Sequence, residues 1–302
     1  MRSKQDLAFV FVLVAGIGLA AVEPAQAGWL GAADATTPSV DDRVIAQIQQ
    51  NLDEQRYVDA GILLDRALIS GKSDPRLMLL VGELNLEKGQ YDVALESFKR
   101  VDARQEVRVR ALEGEGVAMS LLGRLDEALP VLESAAAANP AAWHTWNALG
   151  VIYDRRKEWT KANAAYEHAI SASGASPIVL NNRGFSRLSQ NKLDDAAADF
   201  VLALQKRPDF ASARNNLRLV IAMKGDYARA TEGANATDRA SILNNAGFAA
   251  MARGDYTAAE KLLGQAIEAK GEYYSVAATN LEMVHGLVSS GSNSVMSNAG
   301  AH

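Results

Sequence analysis

The residues with the most chemistry to offer in this chain are asparagines. Asn147, Asn181, Asn215 and Asn244 follow one another at spacings of 34, 34 and 29 residues, and Asn182, Asn216 and Asn245 double the row in the last three units. A carboxamide carries both donor and acceptor, so a row of them can pair with the C=O and N–H groups of an extended peptide. Asparagine is a mediocre helix former, and its return at a fixed spacing needs a reason. Four residues beyond each member of the row stand Val151, Phe185, Leu219 and Phe248. Such an apolar stripe would hold alternate side chains of the same peptide. The competing reading is structural: the amides bond across adjacent helices and the apolar residues pack.

Other chemistry finds little footing. His144, His168, His285 and His302 lie at no metal-ligand spacing with one another or with a carboxylate. His168, between Glu167 and Ala169, reads as solvated. There is no Gly-rich phosphate loop and no G-x-S-x-G elbow, and Asp194-Asp195 opens a helix rather than flanking a cleft. The absence of cysteine excludes disulfides, thiolate metal sites and a lipid carried by an N-terminal cysteine. A net charge of −5 with no run of lysine or arginine argues against nucleic acid as a partner. The expectation is a binding protein with no enzymatic activity, no cofactor and no metal.

The elements that must position the asparagines follow from a second regularity. Ala60, Ala94, Ala128, Ala162, Ala196 and Ala230 are each 34 residues apart, and Ala259 follows after 29. A fixed period of this length signals stacked supersecondary units. With the alanine as position 20, units begin at Asp41, Pro75, Val109, Trp143, Pro177, Ala211 and Ala240. Position 8 is then Gly82, Gly116, Gly150, Gly184 and Gly247, and position 24 is Leu64, Phe98, Leu132, Tyr166, Phe200 and Leu263. Two short antiparallel helices approach closely where glycine meets alanine. Gly89, Gly123, Gly225 and Gly254 mark the turn between them. Asp92, Asp126, Thr160, Asp194 and Thr257 suit the positive end of the second helix. The sixth unit departs from the pattern: Arg218 replaces the glycine and five residues are missing. A truncated second helix and a local change of path are expected near 231–239.

The 34-residue period, with Asn147-Ala148-Leu149-Gly150, Tyr153, Ala162 and Ala169, resembles the tetratricopeptide repeat (TPR) family. The resemblance covers about 41–283 and implies an all-α fold, a right-handed superhelical solenoid of helix-turn-helix repeats. A further resemblance lies in Asn181-Asn182-Arg183-Gly184-Phe185, Arg207-Pro208-Asp209-Phe210-Ala211, Asn215-Asn216-Leu217 and Asn244-Asn245-Ala246-Gly247-Phe248. These segments are similar to the TadD-like TPR proteins of tight-adherence (Flp) pilus assembly. That resemblance implies a protein partner, with secretin or pilus components as candidates, and an outer-membrane lipoprotein. Without a lipidated cysteine, a soluble periplasmic form is expected, associated with the outer membrane only through a partner. The carboxylate-clamp variety of these repeats needs cations along the asparagine face, where only Arg155 and Arg187 stand nearby.

Along the chain, Arg2 and Lys4, the apolar run Leu7–Ala21 and Ala25-Gln26-Ala27 form a secretory signal peptide over 1–27. No later run is long enough to span a bilayer. A flexible lead-in is expected over 28–40 and the solenoid over 41–287, with seven repeats, a short irregular one near 211–239, and a capping helix. Residues 288–302, rich in Ser, Asn and Gly, read as a disordered tail. The function expected is a periplasmic adaptor that binds an extended peptide of an envelope partner in pilus or secretion-system assembly. The alternatives are a general scaffold using the outer helices, or an accessory to cell-wall glycan enzymes.

Overall fold

The computed structural model describes residues 40–299 apart from 72–73, 102–104 and 271–273, with backbone alone at 105–106 and 291–299. The expected signal peptide and all but the last residue of the lead-in lie outside the described residues. Fifteen helices and no strand occur among the described residues. They alternate as first and second helices of a repeat: α1 (Asp42–Asp53) and α2 (Tyr57–Ile69); α3 (Pro75–Glu87) and α4 (Tyr91–Lys99); α5 (Gln105–Leu121) and α6 (Leu125–Ala138); α7 (Trp143–Arg155) and α8 (Trp159–Ser173). There follow α9 (Pro177–Ser189) and α10 (Leu193–Lys206), α11 (Ala211–Met223) and α12 (Tyr227–Thr231), α13 (Arg239–Arg253) and α14 (Tyr256–Lys270), and α15 (Ser275–Ala299). The described residues form two compact units, one ending at Val179 and the other starting at Leu180.

Every second helix begins at position 17, an aromatic residue or leucine, and every alanine of position 20 is fully buried or nearly so. The acidic residues predicted to open second helices lie in their first turns, at Asp92, Asp126 and Asp194, where the helix dipole favours them. The glycine column packs differently from the expectation. A Cβ on Gly82 would stand 2.4 Å from the Phe98 ring, one on Gly116 2.3 Å from Leu132, and one on Gly150 2.6 Å from Tyr166. Gly184 meets Phe200 and Gly247 meets Leu263 in the same way. The glycine is thus the hole for the large side chain of position 24, sixteen residues on, rather than the partner of the alanine. Phe98 is held on both sides, since Gly114 of the next repeat also makes room for it: a Cβ there would stand 2.5 Å from the ring.

The turn between the two helices has one geometry throughout. Gln55, Gly89, Gly123, Lys157, Asn191, Gly225 and Gly254 all sit at position 15, and all have positive φ. Four are glycines, and the other three adopt the left-handed conformation at some cost.

Repeat six shows what happens when the pattern is cut. α12 has five residues, and 232–238 are non-helical, so position 24 (Ala234) falls in a loop and brings no large side chain. Arg218 stands where five of the other six repeats have glycine (the first has Ile48), and its Nη1 donates to the Ala230 carbonyl at 3.4 Å. It thereby serves an acceptor that the short helix leaves unused. With so little second helix between them, α11 packs directly on α13.

α15 acts as the cap expected at a terminal repeat, with Ala277 and Val284 fully buried. It also runs on through 288–299, which the composition read as tail. Ser289 and Ser290 donate their hydroxyls to the carbonyls of His285 and Gly286, four residues back. At these two serines the helix satisfies hydroxyls that otherwise favour irregular backbone.

Candidate peptide-binding faces

The asparagine rows lie on first helices, and in the C-terminal unit they meet one another. Asn216 on α11 donates Nδ2 to Oδ1 of Asn181 on α9 at 2.9 Å. Asn280 on α15 does the same to Asn244 on α13 at 3.0 Å. Within a helix the geometry is looser: Asn181 Nδ2 reaches Asn182 Oδ1 at 3.5 Å and Asn244 Nδ2 reaches Asn245 Oδ1 at 3.4 Å. Asn181, Asn182 and Asn244 are buried, with Asn244 only 2% exposed. The cross-helix bonds satisfy amides that would otherwise be costly to bury. Asn280 was not singled out in the sequence; its one signal was a distance of 36 residues from Asn244, close to the 35 between Asn181 and Asn216.

The apolar stripe divides likewise. Val151, Leu219 and Phe248 are buried among core residues of their units. Phe185 is half-buried and packs against the core formed by Ala196, Phe200 and Val220. Of the eleven residues expected to form the groove, Asn147, Phe185, Asn215, Asn216 and Asn245 keep part of their surface open, while the other six are buried.

Asn215 and Asn245 make no amide pair across helices, Asn245 only receiving Asn244 Nδ2 on its own helix. No hydrogen bond joins them to each other. They border a small cleft between α11 and α13 whose other walls include Arg218, Leu219 and Ile242. Ala230 of the five-residue α12 is part of the same lining.

In the N-terminal unit the same repeat places carry charge. Glu113 occupies position 5, where later repeats have asparagine, and Glu83 and Gln49 occupy position 9. Arg110 on α5 makes an ion pair with Glu83 on α3 at 2.8 Å and donates to Gln49 on α1 at 3.2 Å. Gln49 in turn donates to Asp53 at 3.0 Å, and the Thr145 hydroxyl of α7 donates to Glu113 at 2.9 Å. Four first helices are tied by this network. Burial raises the carboxyls of Asp53, Glu83 and Glu113, with hydrogen bonds and Arg110 opposing it; Glu113 rises to about 7. The sequence reading missed the network, because its members are scattered through four repeats and match no motif.

The two cations nearest the asparagine face are both engaged. Arg187 shares the buried Asp199 with Arg183, each at 2.7 Å, and Arg155 donates to the Ser120 carbonyl at 2.8 Å. Among the described residues no His, Asp and Glu cluster could hold a metal, and no helix is long and apolar enough to cross a membrane. His168 stacks on Trp146 with ring centroids 4.5 Å apart.

The glycine hole, its position-24 knob and the left-handed turn recur from repeat to repeat, and the family description Tetratricopeptide repeat matches residues 122–177 and again 239–272. The chain is a tetratricopeptide repeat protein. It is 24% identical over 154 residues to human Protein O-mannosyl-transferase TMTC1, covering 50% of this chain and 18% of that protein. It is 34% identical over 107 residues to the heat-shock protein cognate co-chaperone sgt12 of Aspergillus fumigatus, covering 35% and 31%. A solved structure of a thermophilic TPR protein from Thermus thermophilus superposes with a TM-score of 0.55 at 24% identity, covering 60% of this chain and 99% of that one. The TPR chain spans between 16% and 31% of the length of the curated relatives it matches. Scaffolds of this family are generally non-enzymatic.

Proposed function

We propose that this TPR protein is a protein–protein interaction adaptor that holds an extended segment of its partner on the first-helix faces. The observation that carries the reading is the state of Asn215 and Asn245. Where the neighbouring amides close on one another across helices, these two border a small cleft. Their donors and acceptors are the kind a peptide backbone engages. Asn216, Asn147 and the half-buried Phe185 extend the binding surface within their own units. The periplasm as compartment, and pilus or secretion-system assembly as setting, are supported by the signal-like N-terminus and by the TadD-like segments of the sequence.

A second reading, a scaffold joining proteins through its second helices, draws on a specific observation. Val58 is 75% exposed and Ile69 84% exposed on α2, and Ile62 between them and Val93 on α4 are also exposed. One experiment separates the two. A photo-cross-linking amino acid is placed at Asn216 or at Val58, and the protein is irradiated in its native cell envelope. The adaptor reading expects a discrete cross-linked protein from the Asn216 site. It also expects that product to disappear in the Asn215→Ala, Asn245→Ala variant. Cross-linking from Val58 alone overturns it in favour of the scaffold. Fractionation of the same cells tests the compartment: a product retained in the cytoplasm refutes the periplasmic assignment.

A further inference from the structure

Repeat six gives the C-terminal unit a feature that its neighbours lack. In five of the other six repeats the place of Arg218 is a glycine, closed off by a large position-24 side chain; the first repeat has Ile48 there. Here the second helix stops at Thr231 and no such side chain arrives, so a guanidinium enters the space instead. Arginine has five N–H donors in a rigid fork. One of them meets the Ala230 carbonyl, at a long 3.4 Å, and no carboxylate is among the residues lining the cleft.

Three donor groups therefore border one small cleft: the Arg218 guanidinium and the Asn215 and Asn245 amides. Leu219, Ile242 and Ala246 form its apolar wall and are all buried. A wall of that kind lowers the local dielectric and strengthens any ionic hydrogen bond made against it. The lining thus has one positive charge, added neutral donors, and a narrow apolar edge.

We propose that this cleft receives a side-chain carboxylate, an aspartate or glutamate within the segment that the protein holds. The inference rests on the adaptor reading for the presence of a segment and adds the chemistry of one of its residues. Arg218 supplies the charge and the fork geometry that fits a carboxylate. Asn215 and Asn245 donate to its remaining lone pairs, and the acid's methylenes lie against Leu219 and Ile242. A side chain is favoured over a chain terminus because the cleft brings one cation, while the adjoining Asn216 continues the polar face for a segment that runs on.

The cleft can be tested without the partner. The isotope-labelled mature protein is titrated with three blocked amino acids while the side-chain N–H resonances of Asn215, Asn245 and Arg218 are followed by NMR. N-acetyl-glutamate methylamide offers a side-chain carboxylate alone, N-acetyl-glutamine methylamide is its neutral match, and N-acetyl-alanine offers a terminal carboxylate alone. The expected result is saturable shifts at all three residues with the glutamate probe and none with the glutamine probe. Arg218→Met should weaken binding roughly tenfold, as loss of a charge-assisted hydrogen bond does. Asn215→Ala, at a half-exposed position, should weaken it severalfold and serves if Arg218→Met fails to fold. Equal response to the glutamate and glutamine probes, or no saturation with glutamate, overturns the proposal. Saturation by N-acetyl-alanine alone overturns the side-chain assignment. Either failure leaves the cross-linking test of the adaptor untouched, and failure of that test leaves these titrations readable.

Discussion

The two units of this molecule tie their first helices together by opposite chemistries. In the N-terminal unit, positions 5 and 9 of the first helices hold Glu113, Glu83 and Gln49, bound into a network around Arg110. In the C-terminal unit the same faces hold amides that pair as neutral partners, Asn181 with Asn216 and Asn244 with Asn280. Both solutions tie one first helix to another. They differ in what they cost when water and protons are varied. The amides can be buried because each finds its complement. The carboxylates are buried beside a single cation, which offsets only part of their desolvation. One face should respond to pH and the other should not.

The largest effect expected is from removing that cation. Arg110→Met leaves Glu83 without its ion pair and takes from Glu113 the positive charge that opposes its burial, at a site where Arg110 is 14% and Glu83 17% exposed. Breaking a buried pair by deleting one partner costs about 3–5 kcal/mol. Urea unfolding followed by circular dichroism should show a loss of this order at pH 8 and a smaller one at pH 5, where the raised carboxyls take up protons. An equal loss at both values would mean that Arg110 acts by packing alone.

Glu113 makes the sign explicit. Its carboxyl titrates at about 7 in the folded chain, against an ordinary value of 4.5, because burial outweighs the Thr145 hydrogen bond and Arg110. A raised folded-state pKa favours the protonated native form. The associated stability is therefore full below 4.5 and is lost as the pH rises through about 7. Glu113→Gln keeps an acceptor for Thr145 and removes the charge, so it should stabilise the protein on the order of 2 kcal/mol at pH 8 and much less at pH 5. The same unfolding measurement decides it. A variant no more stable than the parent at pH 8 would show that Glu113 is not held in a desolvated site.

The contrasting face is sharpened by Asn280→Ala. It strands the Oδ1 of Asn244, which is 2% exposed, and should cost about 1–3 kcal/mol. Unlike the Arg110 effect, this cost should be the same at pH 5 and pH 8. A pH-dependent loss would couple the pair to an ionisable group and undo the distinction between the two faces.

How much of this could be read in advance divides along the same line. The period located the helices well: the position-17 residues Tyr57, Trp159 and Tyr256 each begin a second helix, and the missing residues of repeat six became the five-residue α12. The fold is local and repeated, so each column of residues reports the same contact several times. The contact partners were less legible. The glycines were matched with alanine, yet they receive Phe98, Tyr166 or Phe200, because the choice depends on how far the two helices slide past each other. The Asn rows showed that amides mattered without showing that Asn181 and Asn244 answer to residues of the next first helix. Arg110 reaches Gln49 across 61 residues, and no spacing rule joins an arginine to a glutamine at that separation.

The smallest effect concerns the turns that set the two faces on their helices. Gln55 in the N-terminal unit and Asn191 in the C-terminal unit both have positive φ, 58° and 60°, at the position that is glycine in four of the seven repeats. Both side chains are exposed, so substitution there removes little packing. A left-handed conformation costs an ordinary side chain about 1–2 kcal/mol, and asparagine less because its amide is tolerated there. Glycine relieves that strain but is more flexible when unfolded, which returns about 0.5–1 kcal/mol. Gln55→Gly should therefore stabilise by about 0.5–1 kcal/mol and Asn191→Gly by only a few tenths. Thermal unfolding of the two variants beside the parent measures the difference. Since both turns lie outside the charged and the amide networks, neither increment should change between pH 5 and pH 8. An increment for Gln55→Gly that did change would place the α1–α2 turn, three residues before α2 presents Val58, under the control of Asp53 and the carboxylate network beside it.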